Sequence, residues 1–311
     1  MKLSFVIPCY RSENTIKLVV DEIIQMVNMS EKYDYEIVLV NDNSPDNVWE
    51  KIKELSKENE KIKGVSLARN FGQHAALLAG YAACTGDYVV SLDDDGQTPL
   101  DALYQLMDKI EEGYDAVYAY YNETKQTAFR RFGTWMATKM GETMLGQPKD
   151  MKGSSFYVAR KFVIDEMRNY KNAYPYLWGL VLRVTRNVTC VPTEHRERLQ
   201  GTSGYSFRKL LALWINGFTA FSVKPLEWGT YVGVFFAFAG FLYAFINIVR
   251  KLAGADILVG WSSMISIMLI LGGIVLIMLG LIGEYVGRIY ISINNAPQYV
   301  VRETTGNIDE R

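Results

Sequence analysis

The chain has 311 residues, enough for one large α/β domain or two small ones, and sets 33 Lys+Arg against 34 Asp+Glu for a formal net charge of -1. That balance argues against nucleic acid as a partner. Three widely spaced cysteines (Cys9, Cys84, Cys190), no CxxC pair and two histidines (His74, His195) give a zinc site too few ligands, and the thiols read as reduced and cytosolic.

In chain order, "LSFVIP", "YEIVLV", "KGVSLA", "DYVVSL" and "DAVYAY" read as strands. The apolar run Leu3 to Ile7 is stopped by Pro8, so no secretory signal is expected. Between the first two strands Ile16, Val19, Val20, Ile23, Ile24 and Val27 fall at helical spacing, with Ser12 and Asn14 as capping candidates. Val48, Ile52 and Leu55 repeat the pattern after the second strand. The alternation predicts an α/β domain with a parallel, doubly wound sheet and crossover helices.

The composition then changes. In "YSFRKLLALWINGFTAFSVKPL" Phe207, Leu210, Leu211, Trp214, Phe218 and Phe221 share one helical face, which suits a helix lying in a membrane interface. Beyond it, Trp228 to Val249 and Ile257 to Gly283 carry no charge. As helices they reach roughly 33 and 40 Å, against about 30 Å of hydrocarbon. Two spans return the tail to the side of the N-terminal domain. The flanks there carry Arg208, Lys209, Lys224, Arg288 and Arg302, against Arg250 and Lys251 in the connector, which favours a cytoplasmic domain. Gly229, Gly233 and Ala237 form a small-xxx-small series that would pack the hairpin or join protomers into a homo-oligomer.

Polar residues collect where the strands end: Pro8, Tyr10 and Glu13 after the first, Asp42 in "VNDNSPD" after the second, Arg69 and Asn70 after the third, and Asp93, Asp94 and Asp95 in "SLDDDGQTP" after the fourth. Ligands of doubly wound sheets bind outside those ends, so four strands point at one site. Strand alternation sends Asp93 and Asp95 to one side and Asp94 to the other. Two carboxylates so placed repel unless a cation sits between them and a ligand, and oxygen-only ligation suits Mg²⁺ or Mn²⁺ shared with a diphosphate. An EF-hand loop from Asp93 would need glycine at Thr98 and glutamate at Tyr104. A dinucleotide fold needs GxGxxG after its first strand, where "PCYRSEN" has no glycine.

The segments "FVIPCYRSENTI", "VNDNSPD", "LARNFGQHAAL", "GDYVVSLDDDGQTP", "HRERLQGTSGYSFRKLLAL", "FSVKPL" and "IGEYVGRIY" together resemble the membrane-anchored polyprenyl-phosphate glycosyltransferases. These are inverting family 2 enzymes of the GT-A fold, among them bactoprenol glucosyltransferases, undecaprenyl-phosphate 4-deoxy-4-formamido-arabinose transferases and, more distantly, dolichol-phosphate mannose synthase. The resemblance implies a cytoplasmic GT-A nucleotide-sugar domain over residues 1–204, an interfacial region over 205–227, transmembrane helices near 228–249 and 258–283, and a cytoplasmic tail over 288–311, in the inner (plasma) membrane. It implies that Pro8, Tyr10, Glu13 and Asp42 hold the nucleotide base and ribose, that Asp93 contacts the donor, that Asp95 ligates the metal and that Gln97 assists it. Asp94 departs from the small residue common at that position, which leaves its part in metal binding open.

The acceptor side needs cations, because a lipid phosphate must approach a diphosphate of the same sign. His195, Arg196 and Arg198 in "HRER" and Arg130 and Arg131 in "AFRRFG" supply them, with Ser155 and Ser203 nearby as donors. The expected reaction moves one sugar from a nucleotide donor, UDP-glucose in the commonest relatives, to undecaprenyl phosphate. A processive polysaccharide synthase would carry a QxxRW segment and more spans, and this chain has no QxxRW. An inactive membrane-tethered nucleotide-sugar-binding scaffold would not need the intact acidic motif.

Overall fold

The computed structural model describes residues 1–121, 138–139, 141–142, 146–149, 151–171, 175–193, 224–253, 260–294 and 297–308. The expected interfacial helix up to residue 223 and the acceptor-side residues Arg130, Arg131, His195, Arg196, Arg198 and Ser203 lie outside them.

All five predicted strands form: β1 (Lys2–Cys9), β2 (Asp34–Asn41), β3 (Ile62–Leu67), β4 (Tyr88–Ser91) and β5 (Ala116–Tyr121). Three more complete one eight-stranded sheet, β6 (Tyr157–Arg160), β7 (Val188–Thr193) and β8 (Val301–Thr305), in the order β7-β5-β6-β4-β1-β2-β3-β8. β3, β2, β1 and β4 are parallel, as expected. The sheet as a whole is mixed, because β6 runs antiparallel between β4 and β5 and β8 runs antiparallel along β3.

Helices cover both faces. Leu3, Phe5, Ile7, Ile37 and Leu39 point to one, under α1 (Ile16–Asn28), α2 (Val48–Glu58) and α4 (Leu103–Glu111). Val6, Val38 and Val40 point to the other, under α3 (Gln73–Ala82), α5 (Lys161–Arg168) and α6 (Leu177–Val184). Strands buried on both faces read as continuous apolar runs, which is why they were legible. On α1 the predicted apolar stripe is buried except for Ile24, which packs at its edge. The capping differs: Thr15 is the N-cap, and Ser12 contributes its carbonyl, which accepts from the N–H groups of Thr15 and Ile16.

Two long helices follow, α7 (Lys224–Leu252) and α8 (Trp261–Ile293). They expose Phe235, Phe238, Tyr243, Met268, Leu276 and Leu279, side chains that a water-soluble domain would bury. Among the described residues one stretch, Leu271–Ile293, is long and apolar enough to cross a membrane. Gly229 lets the helices approach, since a Cβ there would strike Met278, whereas Gly233 has open space around it.

Candidate active site

The carboxyl ends of β1 to β4 are tied together by side chain to backbone hydrogen bonds. Asp94 lies just past β4, and its Oδ2 accepts from the Tyr10 N–H at 2.9 Å, while the Thr15 hydroxyl donates to the Asp94 carbonyl at 2.7 Å. The loops after β1 and β2 are joined likewise: Arg11 N–H donates to Ser44 Oγ at 2.8 Å, Glu13 N–H to Asp46 Oδ2 at 3.0 Å, and Asn47 N–H to Glu13 Oε2 at 3.2 Å. Arg11 and Asn43 both take positive φ, the left-handed backbone that these tight loops require of non-glycine residues. Such conformations persist where the surroundings over-determine them, and these crossed hydrogen bonds supply that constraint.

Each expected donor-side residue occurs at this edge. Pro8 is buried in β1. Val6, two residues earlier, accepts from Leu92 N–H, so Pro8 faces the same side, beyond the point where β4 has ended, and its missing N–H deprives no strand. Tyr10 is exposed and Glu13 half-buried. Asp42 is buried, and its two oxygens accept from the N–H groups of Phe71 and Gly72 at 2.7 and 2.8 Å. Burial raises its pKa, against the pull of those two donors. Arg69 and Asn70 are exposed on the same loop, with the Arg69 guanidinium over the Phe71 ring.

The three aspartates do different things. Asp93 is held on both sides: Oδ1 accepts from Gln73 Nε2 at 2.7 Å, and Oδ2 accepts from the hydroxyl of Ser155, a residue expected on the acceptor side. Asp95 turns into its own loop, Oδ1 accepting from Gln97 N–H at 3.0 Å across Gly96, whose positive φ makes the turn. Asp94 points back at β1. Burial raises its carboxyl to about 6, against the pull of the Tyr10 N–H and with the charge of Asp93 adding to the rise.

Three residues here were not singled out in the sequence. Gln73 opens α3 and reaches Asp93, Thr15 ties α1 to the acidic loop, and Asp46 staples the first two loops. Asp46 stands in "VNDNSPD", just ahead of α2, and that position was the only available signal.

Among the described residues no three or more His, Cys, Asp or Glu gather to hold a metal. Mg²⁺ and Mn²⁺ ordinarily need only one or two carboxylates beside a ligand's phosphates. Asp95 and Asp93, both half-buried at an open edge, fit that set. Burial pushes the thiol of Cys9 well up, so it stays neutral and offers no competing thiolate. Burial also takes His74 down to about 4, which leaves it uncharged and a weak proton acceptor near neutral pH.

Residues 4–168 match the family described as glycosyl transferase family 2, and residues 224–289 match the GtrB C-terminal hairpin. An undecaprenyl-phosphate 4-deoxy-4-formamido-L-arabinose transferase of Proteus mirabilis is 31% identical, over 98% of this chain and 94% of its own. A prophage-derived bactoprenol glucosyl transferase of Shigella flexneri is 30% identical, over 98% of both. In fold, the chain is similar to glucosyl-3-phosphoglycerate synthase from Mycobacterium tuberculosis, solved with Mn²⁺ and UDP-glucose, at a TM-score of 0.52 and 19% identity over 70% of this chain and 77% of that one.

Proposed function

Because the chain belongs to glycosyl transferase family 2 and carries a GtrB hairpin behind its catalytic domain, we propose that it transfers one sugar from a nucleotide-sugar donor to the phosphate of a polyprenol at the membrane surface. The observation that carries this reading is the acidic loop after β4, locked to the ends of β1 and α3 directly and facing the open edge of the sheet. UDP-glucose is the proposed donor and undecaprenyl phosphate the proposed acceptor: the glucosyl group follows the name of the Shigella relative and undecaprenyl phosphate that of the Proteus relative, while the uridine nucleotide is this reading's own choice.

In this reading Tyr10, Glu13 and Asp42 shape the nucleotide pocket, with Arg69 and Asn70 at its rim. Asp93, fixed by Gln73 and Ser155, accepts from the donor sugar. Asp95, with Asp93 and Gln97 beside it, would hold Mg²⁺ or Mn²⁺, which supplies positive charge against the diphosphate when bound. Arg130, Arg131, His195, Arg196, Arg198 and Ser203 are proposed to receive the lipid phosphate. An acceptor phosphate oxygen bonds to the anomeric carbon as the bond from that carbon to the diphosphate oxygen breaks, and the nucleoside diphosphate leaves with the electron pair. A phosphate monoester has its second ionisation near pH 6, so its dianion is abundant at pH 7 and needs no protein base. Attack opposite the leaving group turns an α-linked donor into a β-linked sugar phosphate. Incubating purified protein with a panel of nucleotide sugars and undecaprenyl phosphate tests this: one hexose added by mass and a β-anomer by NMR are expected. An α-linked product excludes the single displacement, and a polymer excludes single-sugar transfer.

The membrane arrangement is proposed as a two-span hairpin in the plasma membrane, with the catalytic domain and both termini cytoplasmic. β8 supports it: hydrogen-bonded to β3, it holds residues 301–305 on the side of the catalytic sheet, so the intervening chain crosses an even number of times. Reporter fusions after Arg311 and within the connector at Ala255 are expected to report opposite sides, and agreement between them would rule out two spans.

A further inference from the structure

β8 does more than close an edge. Ala68, the residue that follows β3, is gripped from both backbone groups by the tail: its N–H donates to the Val300 carbonyl at 2.8 Å, and its carbonyl accepts from Arg302 Nη2 at 2.8 Å. The next four residues form the loop whose Phe71 and Gly72 N–H groups bind Asp42, and Gln73, which opens α3 behind it, binds Asp93. Around this grip Gln298 Nε2 donates to the Tyr170 carbonyl at 2.8 Å, and Tyr299 and Ile308 pack against the same apolar cluster as Phe71. Gly64 makes the close approach possible, since a Cβ there would strike Thr305 and Ile52. α8 ends at Ile293, five residues before Gln298, so this anchor lies at most about 18 Å from the end of the membrane helix.

We propose that the C-terminal strand is a positioning element of the donor site, with Val300 and Arg302 holding Ala68 and thereby setting the 69–73 segment that orients Asp42 and Asp93. The inference rests on reading that edge as the donor site. It makes the second membrane helix and the donor loop one connected unit, so that anchoring at the bilayer and order at the sugar-nucleotide site are established together.

The test uses the full-length protein in detergent, with UDP in the presence of Mn²⁺ as probe. Arg302→Ala is expected to raise the Kd for UDP and the KM for the donor about five- to tenfold, as loss of one charged hydrogen bond allows, with acceptor KM and melting temperature little changed. Arg302→Lys should recover part of the loss. Without any ligand, hydrogen exchange at the amides of Ala68, Phe71 and Gly72 should accelerate in Arg302→Ala while that of β1 and β2 stays constant. A chain ending at residue 297 extends the test beyond one side chain and should bind UDP at least tenfold more weakly. Unchanged UDP binding and unchanged exchange in both variants would overturn the proposal. So would a parallel loss of donor KM, acceptor KM and melting temperature, which marks a strand that only stabilises the fold. Failure of the unaltered protein to bind UDP would instead overturn the reading of the donor site.

Discussion

Asp95→Ala is expected to cut sugar transfer by roughly a thousandfold and to remove the dependence of UDP binding on a divalent cation, while the protein melts at its usual temperature. The three neighbouring carboxylates are not equivalent. Asp93 has one oxygen against Gln73 and the other against Ser155, an arrangement that fixes its direction, and Asp94 is turned away to the Tyr10 N–H. Asp95 lies in the loop itself, its Oδ1 held by Gln97 N–H, at the open edge. Asp94→Asn should be far milder, within about tenfold, because an amide oxygen still accepts from Tyr10 and the charge that is lost points away from the open edge. Asp93→Asn should reduce transfer strongly while weakening cation-dependent UDP binding less than Asp95→Ala does. The measurements are transfer rate, UDP affinity with and without Mn²⁺, and melting temperature. An Asp95→Ala enzyme that works normally, or an Asp94→Asn enzyme as dead as Asp95→Ala, would move the metal site to Asp94.

How far the sequence revealed this depends on the range of each interaction. β1 to β5 and the stripes of α1 and α2 were legible because burial on two faces, or on one, writes a local pattern. The site edge was legible for the same reason: strand ends carry their polar residues in the adjacent loop. β8 was not. "VRETT" is short, exposed and charged, as an edge strand can afford to be, and its partner lies more than 200 residues earlier. The insertion of β6 between β4 and β5 was hidden likewise, since its four residues pair with strands that precede it by a long stretch of chain. Gln73 escaped because its partner Asp93 follows a different strand, and α3 must first pack over β1 and β2 to bring them together. Asp94 shows the limit of alternation: β4 ends at Ser91, so the direction of each aspartate is set by its partners instead of by the pleat.

Glu36→Gln is expected to be strongly destabilising although it lies away from the site, costing about 3 kcal/mol at pH 7. Glu36 is buried in β2, six residues before Asp42 and so about 20 Å from it along the strand. Its Oε1 accepts from the Ser4 hydroxyl and the Thr85 N–H, both at 2.5 Å, and its Oε2 from Lys63 Nζ at 3.0 Å and the Thr85 hydroxyl at 2.8 Å. Lys2 adds a second ammonium at 3.0 Å. Burial alone would raise the carboxyl, but these donors outweigh it and bring it from an ordinary 4.5 to about 2. Since the folded value is the lower one, the stabilisation is fully present above pH 4.5 and is lost as the pH falls through that value toward 2. Glutamine keeps the shape but removes the charge, leaving Lys63, itself buried, without its counter-ion. A fall of several degrees in melting temperature at pH 7 is expected, narrowing as the pH approaches 2 and the unaltered protein loses the same interaction. Replacing both groups, Glu36→Leu with Lys63→Met, should recover part of the loss, because an apolar pair removes the buried charge and leaves only the half-exposed Lys2 without its partner. Below its melting transition the Glu36→Gln enzyme should keep its donor KM, as the network lies far from the site. A Glu36→Gln protein as stable as the original from pH 7 to pH 3 would show that the two lysines contribute nothing net to the fold.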